Sequence, residues 1–284
     1  MTTVTVAGAE LFYSTRGHGP ACLVLSSIGT PVYERQMPSQ LSDRLQLVFV
    51  DLRGSGRSTG GPADLTFDLL AADMEAVRAD LGVERVAVLG HSILGVLAIE
   101  YGRRHPGSVS HVITVGTPPF ADMARVSAEA TAFFEADASE ERKQILRDNL
   151  ARLPADAPMG QVMFAQTPLR FFDPRTDAVS LFAGSSVNPA FFGHLLGALT
   201  SGWDVTAGAG SLTVPHFHAH GRYDYVVPYT LWDGIANRLP DMTFRLFEQS
   251  GHQPFCEEPD AFTAALLEWM TRKPDTAPPG GETR

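Results

Sequence analysis

Three residues far apart in the chain have the types needed for nucleophilic acyl transfer: Ser92, Asp224 and His252. A serine hydroxyl is a weak nucleophile and needs a general base beside it. Histidine suits that task because its ordinary pKa lies near neutrality. A carboxylate must then orient the imidazole and stabilise its protonated form. Ser92 lies in Gly90-His91-Ser92-Ile93-Leu94-Gly95, Asp224 in Gly221-Arg222-Tyr223-Asp224-Tyr225-Val226-Val227-Pro228, and His252 in Gln249-Ser250-Gly251-His252-Gln253-Pro254. Taken singly, each has an ordinary structural explanation: a strand-to-helix turn, a turn aspartate capping a helix, and a satisfied histidine.

The elements around them favour the chemical reading. Strands are predicted at Thr2–Val6 and Glu10–Thr15, with Gly8-Ala9 as the hairpin turn between them. Apolar runs at Cys22–Leu25, Leu45–Val50, Arg85–Leu89 and His111–Val115 read as buried parallel strands. Leu70, Met74, Val77 and Leu81 recur at helical spacing, so a helix over Thr66–Leu81 is predicted, capped by Thr66 and ended by Gly82. Ile93–Arg104 is a second helix, stopped before Pro106. This alternation is that of a parallel sheet with helices on both faces. It breaks at Thr117-Pro118-Pro119 and returns as a strand at Val214–Ala219, a helix at Pro228–Leu239, a strand at Thr243–Phe247 and a helix at Ala261–Thr271. Between lies a mostly helical, phenylalanine-rich stretch whose clearest helix is Glu140–Leu153. Ser92, Asp224 and His252 all fall at carboxyl ends of predicted strands, where open α/β sheets place their sites.

With these motifs the chain resembles the α/β-hydrolase superfamily, over residues 10–119 and 211–273. Asp51-Leu52-Arg53-Gly54-Ser55-Gly56-Arg57-Ser58 looks like the family's DxRGxGxS turn, and Gly90-His91-Ser92 like its elbow. Gly221-Arg222-Tyr223-Asp224 and Ser250-Gly251-His252-Gln253-Pro254-Phe255 are similar to its acid and histidine loops. Glu257-Glu258-Pro259 with Phe262 is similar to the start of its last helix. Each motif is weak alone; in this order they are specific, and Ser…Asp…His is the family's chain order. The set is most similar to the proline-iminopeptidase-like branch, relatives of serine peptidase family S33. The resemblance implies an α/β fold: a mostly parallel central sheet flanked by helices, with an inserted, mainly helical cap. The expected domains are a core of residues 1–119 and 211–273, a cap of 120–210 and a disordered tail of 274–284. It also implies a triad of Ser92, Asp224 and His252 working without a cofactor.

An oxyanion hole needs two backbone N–H donors. One is expected at Ile93, directly after the serine. The other is expected at Ile28, in Ser26-Ser27-Ile28-Gly29-Thr30-Pro31, where the family usually carries His-Gly. A second departure is Leu94, which stands where the G-x-S-x-G pattern has its last glycine; here Gly95 follows one residue later. The Asp51–Ser58 turn is expected to be structural. Ser27, Tyr33, Phe133, Phe172 and Tyr223 are the expected substrate-binding residues, with Met37 and Tyr225 as further pocket walls. His216, His218 and His220 share one face of a strand. Three imidazoles could hold a metal, but no fourth ligand is evident, and packing is the favoured reading.

The remaining composition narrows the classes. A net charge of −10 with no basic stripe argues against nucleic acid. No stretch has the roughly 18 apolar residues of a membrane span. The start of the chain lacks signal-peptide features, so a cytoplasmic location and free thiols at Cys22 and Cys256 are expected. The expected partner is a small-molecule substrate; a homodimer is compatible with the sequence.

Three functions compete. The first is a serine hydrolase cleaving an ester, lactone or amide of a small, largely apolar substrate through an acyl-enzyme. The second is an aminopeptidase, which requires a cap carboxylate for the substrate's ammonium; Glu129, Glu135, Glu140, Glu141 and Asp173 are the candidates. The third is a non-hydrolytic member (a cyclase, acyl transferase or lyase), suggested by Leu94 and the missing His-Gly.

Overall fold

The computed structural model describes residues 2–61, 65–239 and 241–272. Eight strands form one sheet: β1 Thr2–Val6, β2 Ala9–Arg16, β3 Ala21–Ser26, β4 Gln46–Asp51, β5 Val86–His91, β6 Val109–Val115, β7 His216–Gly221 and β8 Met242–Phe247. Their order is β1-β2-β4-β3-β5-β6-β7-β8. β1 and β2 pair antiparallel, as do β2 and β4, whereas every later pair is parallel. The first turn differs slightly from expectation. Ala7 and Gly8 take positive φ, so they make the turn, and Ala9 already pairs with Val6.

The helices are α1 Thr30–Gln36, α2 Phe67–Asp80, α3 Leu94–Arg104, α4 Met123–Asp137, α5 Glu140–Ala151, α6 Met159–Ala165, α7 Thr167–Arg170, α8 Ala178–Leu181, α9 Pro189–His194, α10 Pro254–Glu257 and α11 Pro259–Thr271. α2 starts where its cap predicts: the Thr66 hydroxyl accepts from Leu69 N–H at 3.1 Å. Its Leu70, Met74 and Val77 face one layer of the core, together with β3, β4, β5 and α3. A second apolar layer on the other sheet face joins Phe49, Leu89, Phe217 and Phe247 to Phe255, Phe262 and Trp269 of the last helices. None of the helices among the described residues is long and apolar enough to cross a membrane.

The helix predicted at Pro228–Leu239 does not form. Residues Tyr229–Trp232 and Ala236–Arg238 make two separate 3-10 turns. Gly234 between them sits at φ +73°, which breaks helical continuity. The Trp232 indole N–H is also fixed on the Thr117 carbonyl at 2.9 Å.

The segment between β6 and β7 carries α4 to α9 and is tied to the core's loops. Ser186 N–H donates to Ile28 O at 2.7 Å, and the Asn188 amide donates to Gly54 O at 2.8 Å. Tyr225 N–H and His252 N–H donate to Leu169 O and Arg170 O, at 3.0 and 2.6 Å. The predicted tail at 274–284 lies outside the described residues. Cys22 and Cys256 are free thiols.

Candidate active site

Ser92 sits at the junction of β5 and α3 with φ +57°, in the left-handed region that a residue with a Cβ avoids. Such backbone persists where the surroundings over-determine it. Here Ser92 N–H donates to Val115 O at 2.7 Å, and α3 begins immediately afterwards. Gly90 makes the bend feasible: a Cβ there would lie 2.3 Å from Leu94 O. Leu94 is buried, and the glycine after it meets Thr117, whose Oγ1 would be 1.9 Å from an added Cβ. The displaced glycine therefore serves helix packing, and the sharp turn forms with Leu94 in place.

His252 Nδ1 and Asp224 Oδ2 are 2.6 Å apart, and both residues are buried. The other carboxylate oxygen of Asp224 accepts from Val226 and Val227 N–H, each at 2.9 Å. Burial works against ionisation of Asp224. The charge of His252, its hydrogen bond and the nearness of His220, whose Nε2 lies 3.5 Å from Oδ2, outweigh it and hold the carboxyl well below its usual range. Two close backbone approaches bring these loops together. A Cβ at Gly116, which has φ +55°, would sit 2.9 Å from His252 Nδ1. One at Gly221 would collide with Gly251 O at 1.8 Å.

Sequence reasoning passed over two groups that brace His252. His91 Nε2 faces the His252 carbonyl at 2.9 Å and so carries its proton there; Nδ1 accepts from the Tyr33 hydroxyl at 3.0 Å. Burial and the nearby His252 keep the His91 imidazole neutral. Glu257 accepts from Gly251 N–H at 2.9 Å and Phe172 N–H at 2.6 Å, joining the histidine loop to the inserted segment. The position of His91 beside the serine and the Glu257-Glu258-Pro259 motif were the available signals.

The three histidines of β7 form a buried hydrogen-bonded row. His220 Nε2 must donate, because Val227 O at 2.6 Å only accepts. With His220 neutral, its Nδ1 then accepts from His218 Nε2 at 2.8 Å. His218 Nδ1 accepts from Thr114 Oγ1 at 2.7 Å, and Thr114 accepts from His216 Nε2 at 2.8 Å. One carbonyl thus fixes every tautomer in the row. Burial lowers the pKa of His216 to about 3 and that of His218 well below its usual value, so both are neutral.

A cavity of about 340 Å³ opens at Ser92 and His252. Ser92, Ile93 and His252 line it, as do the expected Ile28, Ser27 and Tyr33. Neither Ile28 nor Ile93 N–H donates to another described group, so both are available to a ligand. Phe133, Phe172 and Tyr223 were expected as walls but are not part of the lining. They pack on one another's neighbours instead: Phe133 against Tyr225 and Tyr229, and Phe172 edge-on to Tyr223 at 4.9 Å. Arg222 lies over the rings of Phe133 and Tyr223, which completes an aromatic–cation cluster away from the cavity. Met37 and Tyr225 also lie outside the lining. The apolar walls are residues that composition did not single out, among them Met123, Met159, Val162, Met163 and Leu196.

Asp51 is structural, as its turn suggested. It accepts from Thr30 N–H at 2.7 Å and Arg57 N–H at 3.0 Å, and Arg53 pairs with buried Asp73.

Comparison with known proteins places the chain among the α/β hydrolases. Residues 25–259 match the family model of the α/β-hydrolase fold, and the chain belongs to that family. It is 32% identical to an AB hydrolase superfamily protein, YclE, of Bacillus subtilis, over 93% of this chain and 96% of that one. It is 31% identical to a pimeloyl-[acyl-carrier protein] methyl ester esterase of Chromobacterium violaceum, covering 92% and 98% respectively. Among solved structures it resembles a proline iminopeptidase of Mycobacterium smegmatis. That match has TM-score 0.73 at 21% identity and covers 95% of this chain and 97% of that chain.

Proposed function

We propose that this α/β hydrolase cleaves an ester bond, or a lactone or amide, of a small and largely apolar substrate through an acyl-enzyme. The observation that carries this reading is the His252–Asp224 contact of 2.6 Å beneath a cavity that also exposes Ser92 on its elbow. Asp224 holds the proton on His252 Nδ1, which leaves Nε2 free to take the proton of the Ser92 hydroxyl. Ser92 Oγ then attacks the substrate carbonyl. The N–H groups of Ile28 and Ile93 receive the developing oxyanion. Protonated His252 delivers its proton to the leaving group, and water, activated by the same imidazole, releases the acid.

The division into a core of 1–119 and 211–273 and a cap of 120–210 fits this reading. Met159, Val162 and Met163 of α6, with Leu196, supply apolar walls from the inserted segment. Aminopeptidase action fits less well. Among the described lining residues there is no aspartate or glutamate to receive an ammonium. The cap candidates are engaged elsewhere: Glu135 and Glu140 with Lys143, and Glu141 with Arg175. Asp173 accepts from Arg175 N–H, and Glu129 borders a different cleft.

The test is labelling with a fluorophosphonate, with the modified residue identified by mass spectrometry. Adduct at Ser92, absent in Ser92→Ala, is the expected outcome. A folded wild-type protein that takes no label would overturn the serine hydrolase reading and point to a non-hydrolytic member.

A further inference from the structure

Among the described residues lining the catalytic cavity, Arg170 is the only arginine, lysine or acidic side chain. Its surroundings are unusual for a guanidinium. Nε is enclosed and has no partner, and the side chain makes no hydrogen bond or ion pair with any described residue. Arg103 and Arg222 also have an enclosed nitrogen without a partner, but each keeps an ion pair, with Glu100 and Asp137. Arg53 pairs with Asp73, and Arg142 donates to the carbonyls of Pro168, Phe171 and Phe172.

The backbone at Arg170 is fixed against the catalytic loops. Its carbonyl accepts His252 N–H at 2.6 Å, and a Cβ at Gly251 would approach that oxygen to 2.3 Å. Leu169 O takes Tyr225 N–H from the acid loop. The charge is close enough to lower the His91 pKa and to be supported weakly by Asp224, yet it bonds to neither. Burial lowers the pKa of Arg170 itself, but a guanidinium stays charged. Arg170 is half-buried, and a guanidinium drawn partly out of water without a counter-ion costs stability that a ligand of opposite charge would offset. The planar fork of arginine matches a carboxylate in bidentate fashion.

We propose that Arg170 receives a carboxylate carried by the substrate, so that the preferred substrate is a half-ester of a short dicarboxylic acid. The methylene chain lies along the apolar walls, the ester carbonyl at Ser92 and the free carboxylate at Arg170. This specificity rests on the serine hydrolase reading above.

The experiment compares mono-4-nitrophenyl adipate with its methyl-capped neutral counterpart, in wild type and in Arg170→Gln. Wild type is expected to favour the free carboxylate by at least about tenfold in kcat/KM. Arg170→Gln should lose about 10- to 100-fold on that ester, mainly through KM, and change less than about threefold on the capped one. Its melting temperature should match or exceed that of wild type, since a cation without a partner is removed. Equal rates on the two esters in wild type, or an equal fall on both in the variant, overturn the assignment. If neither ester is cleaved, monomethyl adipate serves as a ligand in thermal melts. A stabilisation of wild type that vanishes in Arg170→Gln supports the carboxylate site even though hydrolysis has failed. No stabilisation, or an equal one by inorganic phosphate, overturns the site.

Discussion

Replacing Asp224 by asparagine changes little of the shape of the site, yet it should lower kcat by about 10⁴-fold. The reason lies in the partners of the two carboxylate oxygens. Oδ1 accepts from the N–H groups of Val226 and Val227, so the amide oxygen must take that place. The NH₂ group is then forced to the position of Oδ2, 2.6 Å from His252 Nδ1. It can only donate there. His252 must present a bare Nδ1 and carry its proton on Nε2, where it cannot accept the proton of Ser92. The carboxylate that stabilises the imidazolium is lost as well. At about 1.36 kcal/mol per decade, a 10⁴-fold loss corresponds to about 5.5 kcal/mol of transition-state stabilisation. The assay is turnover of a 4-nitrophenyl ester by wild type and Asp224→Asn, with the rate of fluorophosphonate labelling in parallel. The tautomer of His252 can be read from its nitrogen NMR shifts. A loss of less than about tenfold in kcat, with the variant folded, would refute the assigned role of Asp224 and the tautomer argument with it.

Other outcomes follow from the same geometry. Gly116→Ala places a methyl group against His252 Nδ1 at a positive φ, so kcat should fall by about 10²-fold while the fold is retained; unchanged kcat would mean that His252 is not confined there. Thr114→Val strands the His216 Nε2–H donor and leaves His218 Nδ1 without one, which should cost about 1–3 kcal/mol in urea unfolding. An unaltered urea midpoint would show that the histidine row is energetically idle. Burial pushes the Glu257 carboxyl up to about 8 from an ordinary 4.5, against the pull of N–H donors from Phe172, Gly251 and Gln253. The native state therefore holds this proton more tightly than the unfolded chain, and the contribution of Glu257 to stability declines as pH rises from about 4.5 to about 8. Melting temperatures across that window should fall less steeply in Glu257→Gln; parallel slopes would sink the assignment.

Much of the frame was legible because its signals are local. Thr66 caps its helix through its own hydroxyl, and the apolar runs from Cys22 to Val115 each became a buried strand. Where local signals conflicted, the reading failed. Pro228–Leu239 has helical periodicity, but Gly234 and the hold on Trp232 turn it into two short turns. Aromatic residues near the site were expected to face the substrate. Phe133 and Tyr223 instead lie under Arg222, and Phe172 packs edge-on to Tyr223, because an aromatic ring buries as well against a guanidinium or another ring as against a ligand.

The sequence by itself determined the α/β class, the loop that carries each of Ser92, Asp224 and His252, and the strand ends at which they lie. Those features depend on residue type and short-range spacing. Only the tertiary structure decided that His252 meets Asp224 against Gly116, that the β7 histidines join Thr114 in a buried hydrogen-bonded row, and that Arg170 lines the cavity without a counter-ion. Each depends on segments tens of residues apart: even the histidine row, whose shared face the spacing shows, is tied to Thr114 on β6. No local spacing encodes such contacts; they arise when the sheet order and the inserted helices fix which backbones touch.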